Sequence, residues 1–405
     1  MSIKKNIALL MGGTALAQIF TFAISPLLAR LYNPDDFGVL GIVLSASSII
    51  AVIAHLRLNL AINYAKNIGE AYVILITAAI LCIPIVFLAT GILSCFVYLF
   101  NISGYSLIIY FFIIILAILN AYIDLLTYWN SYLHNHKISA KNSVVRSFLT
   151  GFFQLSFYKF SGLSLILGVI FGTLISFISF LKDKLIFKEL RFLHLKEIKN
   201  TVFKYKELPL YSMPQGFLAS LSLNSAPILL ASNFSVAIAG QYWLAYRLLI
   251  APISIIGTTY RQVVMPIFVK NDFAYNKKIV FKHTTYLFLT ILPIIIILFY
   301  VFPLIFSIGF GEKWKVAGYF ASWLVLGFGF DIIKVPVFCF LQAYNKHKFL
   351  LVYEVILGLF RFFALFIGSM FLNYIDVISV FSVVNMMFSS ILIVSCIFSK
   401  NMPSN

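Results

Sequence analysis

Seven basic side chains lie within or at the edges of long apolar runs of this 405-residue sequence. They are Arg30, Arg57, Arg146, Arg247, Arg261, Lys334 and Arg361. An arginine in the middle of a membrane-spanning helix costs about 2.5–3.5 kcal/mol on insertion scales, so it needs a partner, a wet cavity or an interface. The same runs contain only three acids, Asp124, Asp331 and Glu354. This excess of bases predicts a cationic lining that attracts an anion.

Two of the acids have a base at helical spacing. Asp331 and Lys334 are three residues apart, and Glu354 and Arg361 are seven apart on one helix face, so each pair is expected to interact. The first three apolar runs contain no acid. Arg57 therefore has no partner close by in sequence, and an acid from another span is the alternative.

Four arginines are candidates for binding the anion. Arg57 and Arg261 lie deep in corresponding runs, whereas Arg30 and Arg247 lie near the outer ends, where contact with lipid headgroups is an equally good explanation. The planar guanidinium group suits phosphate oxygens. The ligand predicted from these residues is a phosphate-bearing amphiphile.

Coupling to a proton has its own candidates. They are Asp124, Asp331, Glu354 and His55, and the last is the one histidine well inside an apolar run. For His55 a hydrogen-bonded structural role is the favoured alternative.

The composition indicates that most of this chain is surrounded by lipid rather than by water. Hydrophobic residues make up 62% and charged residues 11%, against about 25% charged in a soluble domain. Apolar runs long enough to cross a hydrocarbon layer recur throughout, which predicts an all-α polytopic membrane protein of about twelve helices. The predicted spans are 7–31, 37–65, 71–98, 107–133, 142–160, 164–181, 209–233, 242–269, 284–308, 317–343, 350–372 and 377–398.

The loops between these spans carry unequal charge. Loops on one side, together with both termini, hold 20 of the lysines and arginines, and the opposite loops hold Lys159, Lys313 and Lys315. The positive-inside rule therefore predicts that both termini are cytoplasmic. Because the net charge of +17 is spread over these loops, it does not indicate nucleic-acid binding.

A basic segment divides the chain near its middle. We predict a six-helix lobe over 1–181, a cytoplasmic linker over 182–208 and a second lobe over 209–405. The linker is read as an amphipathic helix on an anionic leaflet or, equally, as a solvated loop. The run from Pro26 to Gly38 resembles the run from Pro227 to Gly240, which suggests two parallel repeats that enclose a cavity and alternate its access.

Enzyme motifs are missing from the sequence. There is no HExxH, GxSxG, Walker or GxGxxG pattern in a plausible setting, and the cysteines and histidines lack metal-ligand spacing. We therefore predict a protein that is not an enzyme and has neither a cofactor nor a metal.

Four stretches carry a resemblance to a known family. LLARLYNPDDFG (27–38), HLRLNLAI (55–62), GQYWLAYRLLIAPI (240–253) and GEKWKVAGYF (311–320) resemble bacterial polysaccharide flippases of the Wzx type, within the multidrug/oligosaccharidyl-lipid/polysaccharide (MOP) exporter superfamily. The resemblance implies two six-helix lobes in the bacterial inner membrane. It also implies that an undecaprenyl-pyrophosphate oligosaccharide, such as an O-antigen unit, moves from the cytoplasmic to the periplasmic leaflet.

The same resemblance implies partners and site residues. In related lipid II flippases, arginines on the first, second and eighth helices engage the pyrophosphate, a role that falls here on Arg30, Arg57 and either Arg247 or Arg261. Membrane lipids are implied partners, as are the polymerase and the chain-length regulator of the same pathway.

Three other functions compete with this interpretation. A cation-coupled multidrug exporter of the same superfamily would keep acids within the spans of the first lobe, where the apolar runs of this chain contain only Asp124. An O-antigen polymerase usually has one large outer loop, and the outer loops here are short. A structural scaffold has no reason to bear the insertion cost of the arginines.

Overall fold

The computed structural model describes residues 3–99, 107–159, 163–181, 195–344 and 346–398, and within these ranges it is helical without strands. Its α-helices are α1 (Ile3–Leu31), α2 (Pro34–Ile53), α3 (Ile68–Leu99), α4 (Leu107–Tyr132), α5 (His136–Ser156), α6 (Ser164–Leu181), α7 (Leu195–Lys204), α8 (Met213–Asn233), α9 (Val236–Lys270), α10 (Phe273–Phe310), α11 (Lys315–Ile333), α12 (Val335–Ala343), α13 (His347–Phe371) and α14 (Tyr374–Phe398). A 3₁₀ helix over Leu58–Tyr64 follows α2, and a π-helical turn over Leu208–Ser212 precedes α8.

Every predicted span contains a helix of the structure. In the described part of the chain, nine helical segments are long and apolar enough to cross a membrane. The predicted all-α, multi-pass fold class is therefore confirmed. The chain divides by packing into two compact units, Met1–Ala239 and Gly240–Asn405.

Two predicted spans are wrong because each contains a break. The span 37–65 is helical only to Ile53, and after a turn it continues as the 3₁₀ helix. The span 317–343 is broken at Lys334, where α11 ends, because Pro336 has no N–H group to donate back into the helix. Each break lies at or beside a charged residue, Arg57 in the first and Lys334 in the second.

The first unit is built from α2 outward. This helix packs against α4 and α8, while α1 packs on α5 and α5 on α6. Its start is defined by sequence, since Pro34 occupies the first turn and the Asp36 carboxylate accepts a hydrogen bond from the Asn33 N–H at 2.9 Å. The 3₁₀ helix buries Leu58 and Ile62 in a cluster with α3 and α4.

In the described part of the basic linker, Leu195–Lys204 forms α7. It packs on α3, where Glu70 accepts hydrogen bonds from the Lys204 ammonium and from the Tyr205 hydroxyl. Burial and the bond to Glu70 raise the pKa of Tyr205 to about 12. Residues 195–204 are thus a docked helix rather than a solvated loop, and 182–194 lie outside the described residues.

The second unit is arranged around α11, which packs against α10 and α14. Gln241 anchors the start of α9, because its amide donates to the Lys313 carbonyl at 2.5 Å and accepts from the Ala317 N–H at 2.8 Å. The segment α12 packs on α10 and α13. The lobe boundary predicted at 209 stays a prediction, and the packing division falls later, at 239/240, because α8 packs on α2.

Candidate functional site

Arg57 lies at the break that ends α2. Its backbone is in the left-handed region with φ 60°, and the preceding Leu56 has φ 50°. Side chains other than glycine rarely adopt this region, and each such residue costs about 1–3 kcal/mol. The surrounding packing maintains this strain, because Leu58 and Ile62 just beyond it are fully buried. The strained turn fixes where the Arg57 side chain leaves the backbone.

The guanidinium group of Arg57 lies on the backbone of α8 at Gly216. A Cβ atom at this glycine would overlap Arg57 Nε, Cζ and one terminal nitrogen, so a larger residue would displace the group from this position. The arginine is half-buried, and its Nε is buried with no hydrogen-bond partner among the described residues. A buried N–H of this kind can donate to an oxygen of a ligand.

Asp124 of α4 is close enough to Arg57 for their charges to interact. Their charges attract each other, although no direct ion pair joins these two described residues. Asn59, in the 3₁₀ helix, donates a hydrogen bond of 2.6 Å from its amide to Asp124 Oδ2. The acid from another span, left open by the sequence, is therefore Asp124. The carboxylate partly offsets the charge of Arg57, whose Nε has no hydrogen-bond partner among the described residues.

The other two candidates of the first unit are not joined to this cluster. His55 is 1% exposed, and its Nε2 has no partner in the described part of the chain. Arg30 lies in the last turn of α1 on an exposed face, where a cation favours the negative end of the helix dipole. No hydrogen bond or ion pair between described residues links either of them to Arg57.

In the second unit the two candidate arginines lie on α9. Arg247 is half-buried, while Arg261 is exposed and has its Cζ 6.0 Å from the centre of the Phe338 ring. The Arg261 charge also acts on Cys339 of α12. Unlike Arg57, Arg261 lies within a continuous helix, so the two arginines in corresponding sequence positions have different backbone settings.

A buried charge network joins α11, α13 and α14. Lys334 Nζ is 2.7 Å from Asp331 Oδ1, so the pair expected from their spacing forms. The pair expected between Glu354 and Arg361 does not form. Arg361 instead lies 3.7 Å from Asp331 Oδ2 and donates to the Asn385 side chain, because it is buried facing α11 and α14.

Two polar residues complete this network. Asn385 donates to Asp331 Oδ2 at 2.9 Å, and Ser389 donates to Asp331 Oδ1 at 3.1 Å. The Lys334 ammonium also lies 5.6 Å from the centre of the Tyr353 ring, and the charge of Glu354 acts on it. Asp331 thus has four cationic or polar donors around it, and these contacts connect α11, α13 and α14.

Some residues of these two clusters were not predicted from the sequence. Gly216 gives no signal, since glycines are common in apolar spans. Asn385 and Ser389 do give one, because two polar residues at i and i+4 in an apolar helix share a face. Asn59 gives only a weak signal, because it is one of many uncharged polar residues within the apolar runs.

Comparison with known proteins identifies the family. The polysaccharide biosynthesis protein family matches residues 27–318, which is most of the chain. The chain belongs to this family. No curated protein matches it.

Three solved structures are similar in fold to this chain. The lipid II flippase MurJ in an inward closed conformation aligns with a TM-score of 0.76 and 13% identity, over 96% of this chain and 88% of that chain. An inward-facing multidrug resistance MATE transporter of the MOP superfamily aligns with a TM-score of 0.55 and 12% identity, over 99% of this chain and 97% of that chain. A MOP superfamily transporter from Pyrococcus furiosus aligns with a TM-score of 0.61 and 12% identity, over 97% of this chain and 95% of that chain. These similarities show that the chain has the fold of these membrane proteins, and the predicted two-lobed, all-α fold class is confirmed.

Proposed function

We propose that this membrane protein is a flippase that moves undecaprenyl-pyrophosphate-linked oligosaccharide units to the periplasmic leaflet by alternating access. The observation that carries the proposal is Arg57, a strained arginine with a free buried Nε, in a chain of the polysaccharide biosynthesis family. Surface-polysaccharide units of the O-antigen kind are the proposed cargo. The similarity to MurJ supports a lipid-linked substrate.

Arg57 is the proposed anchor for the pyrophosphate. A guanidinium group donates two parallel hydrogen bonds to phosphate oxygens, and these charge-assisted bonds are about twice as strong as neutral ones. Gly216 leaves space for the group beside the backbone of α8, and Asn59 donates a hydrogen bond to Asp124. Arg30, Arg247 and Arg261 are further proposed phosphate contacts. The buried network around Asp331 is proposed as a structural element that could also carry a proton.

Cation-coupled drug export is the second candidate function. The observation that favours it is Asp124, an accessible carboxylate in the first unit that could hold a cation. The positive charge of Arg57 acts on the same carboxylate and opposes a cation there. We therefore rank the flippase first, and loss of Asp124 separates the two, since only the exporter requires it for drug resistance.

The remaining proposals concern place and partners. We propose the bacterial inner membrane with both termini in the cytoplasm, from the charge of the loops. The proposed partners are the lipid-linked oligosaccharide, membrane lipids, and the polymerase and chain-length regulator that would act on the exported units. We propose a transporter rather than an O-antigen polymerase.

Deletion of the gene followed by electrophoresis of the host lipopolysaccharide tests the function. We expect no O units on lipid A-core, restored by the gene on a plasmid. Cores that carry a single O unit would show intact export and lost polymerisation, and the enzyme would then replace the flippase. Normal lipopolysaccharide together with increased drug sensitivity would favour the exporter.

A further inference from the structure

The second unit contains a cavity of about 490 Å³ at the beginning of α10. This volume falls in the range of about 300–1,000 Å³ typical of ligand pockets. Its walls come from three helices of the unit. The lining side chains are Phe273, Ala274, Lys277, Lys278, Val280 and Phe281 of α10, Phe340 of α12, and Cys396 and Ile397 of α14.

The interior of this pocket is apolar and firmly held. Val280, Phe340 and Cys396 belong to one buried cluster, and Phe273 packs on Phe340 with ring centres 5.4 Å apart. Asn276, fully buried in the same turn of α10, donates to the Phe268 carbonyl at 2.7 Å and so fixes how the chain enters the helix. The walls are therefore preformed and suit a hydrocarbon chain.

Two lysines give the same pocket a cationic side. Lys278 is exposed and Lys277 is half-buried, and the Lys277 charge acts on the Cys396 thiol inside. Phe281 is 54% exposed and extends the apolar wall outward beside them. A ligand here must combine an apolar chain with a negative head.

The length of α10 places the pocket at the membrane boundary. With 38 residues the helix is about 57 Å long, which exceeds the roughly 30 Å of hydrocarbon. Lys277, Lys278 and Lys282 are charged, and the rest of the helix beyond them has no Asp, Glu, Lys or Arg. The lysines therefore belong at the headgroup level, and the positive-inside rule assigns that level to the anionic cytoplasmic leaflet.

We propose that this pocket binds an anionic phospholipid of the cytoplasmic leaflet, with the phosphate at Lys277 and Lys278 and an acyl chain along Val280 and Phe281, which lie on the membrane side of these lysines. The site is separate from the transported cargo and does not depend on the flippase proposal. The two lysines make an anionic phospholipid the expected occupant, because basic pockets between helices on the cytoplasmic side bind anionic headgroups.

Cys396 supplies a reporter inside the pocket. The variant Cys82→Ser, Cys95→Ser, Cys339→Ala retains only this thiol, and its alkylation by N-phenylmaleimide is timed in nanodiscs of phosphatidylglycerol or phosphatidylcholine with identical acyl chains. We expect at least fivefold slower alkylation in phosphatidylglycerol. Lys277→Gln with Lys278→Gln should abolish the difference, because each lysine contributes about a fivefold gain in affinity for an anionic surface.

Lys282→Gln is the matched control, since it removes one charge from the same helix but from a side chain that does not line the pocket. It should leave the protection intact. Equal alkylation in both lipids, or protection that survives the double variant, would overturn the proposal, as would protection given only by a polyprenyl phosphate. Native mass spectrometry, counting the phosphatidylglycerol retained by unmodified protein and by the double variant, decides the matter if the thiol proves unreactive.

Discussion

At the scale of single residues, Arg57 should be replaceable in part by another cation. We expect Arg57→Ala to lower surface polysaccharide at least tenfold per molecule of transporter, because a hydrogen bond to a charged group contributes about 1.5–3 kcal/mol. Arg57→Lys keeps the charge but not the planar fork, so its loss should be smaller. Glycan on immunoblots, divided by transporter abundance in membranes, measures both variants.

Lys66→Gln is the control for charge, since Lys66 is exposed after the same 3₁₀ helix. It should export normally. Full export by Arg57→Ala at normal abundance would contradict the role of Arg57 as the phosphate anchor.

Gly216→Ala tests the same site without removing a charge. The added methyl group would overlap the guanidinium, so we expect Arg57 to be displaced and export to fall toward the level of Arg57→Ala. Gly91→Ala is the matched control, because a Cβ at Gly91 meets no atom within 4 Å. Glycan is measured on immunoblots as for the Arg57 variants. Equal glycan levels in Gly216→Ala and Gly91→Ala would show that the placement of the guanidinium does not matter.

The arginines could be found from sequence because a charge stands out in an apolar run. Their partners could not. Asp124 is 67 positions from Arg57, and only the packing of α2 on α4 brings their charges together. Glu354 had a base at suitable spacing, yet Arg361 turns to Asp331, because pairing between helices outweighed spacing along one helix.

At the scale of helices, α5 and α6 depend on close approach at Gly172. A Cβ there would lie 2.6 Å from the Thr150 N atom of α5. Small residues let helices approach in membranes, where packing contacts drive association. We expect Gly172→Val to push the helices apart and lower the midpoint of thermal unfolding in detergent by several degrees. Gly91→Val is the control, and equal midpoints for the two would refute this dependence.

The network of α11, α13 and α14 depends on Asp331. Asp331→Asn leaves Lys334 and Arg361 without their anion, and breaking a buried pair costs about 3–5 kcal/mol. We expect a marked drop in the unfolding midpoint, read by tryptophan fluorescence in detergent. Asp376→Asn, which alters an exposed carboxylate, should change it little. An unchanged midpoint in Asp331→Asn would mean that the charges find other partners.

Helix existence was predictable here, whereas helix breaks were not. Hydrophobic length located a helix in every predicted span, because a membrane-crossing helix must satisfy its backbone internally. The break at Lys334 had a local signal in Pro336, but the one before Arg57 had none. Leu56 and Arg57 have no intrinsic preference for the left-handed region, so packing of the following 3₁₀ helix sets that turn.

At the scale of the whole molecule, loop charge predicts the orientation in the membrane. Single cysteines at Lys66, Lys348 and Lys159, placed in a background without native cysteines, are treated on intact spheroplasts with a membrane-impermeant maleimide. All three positions are exposed in the structure. We expect labelling at position 159 alone, because Lys159 lies on the side with few basic residues.

After lysis, positions 66 and 348 should label as well, which controls for their reactivity. Positions 66 and 348, both predicted to be cytoplasmic, are far apart in sequence, one in each compact unit. Parallel repeats, each with an even number of spans, require them to lie on the same side. Labelling of position 348 but not 66 in intact spheroplasts would therefore disprove parallel repeats as well as the assigned orientation, whereas labelling of both would reverse the orientation and leave the repeats standing.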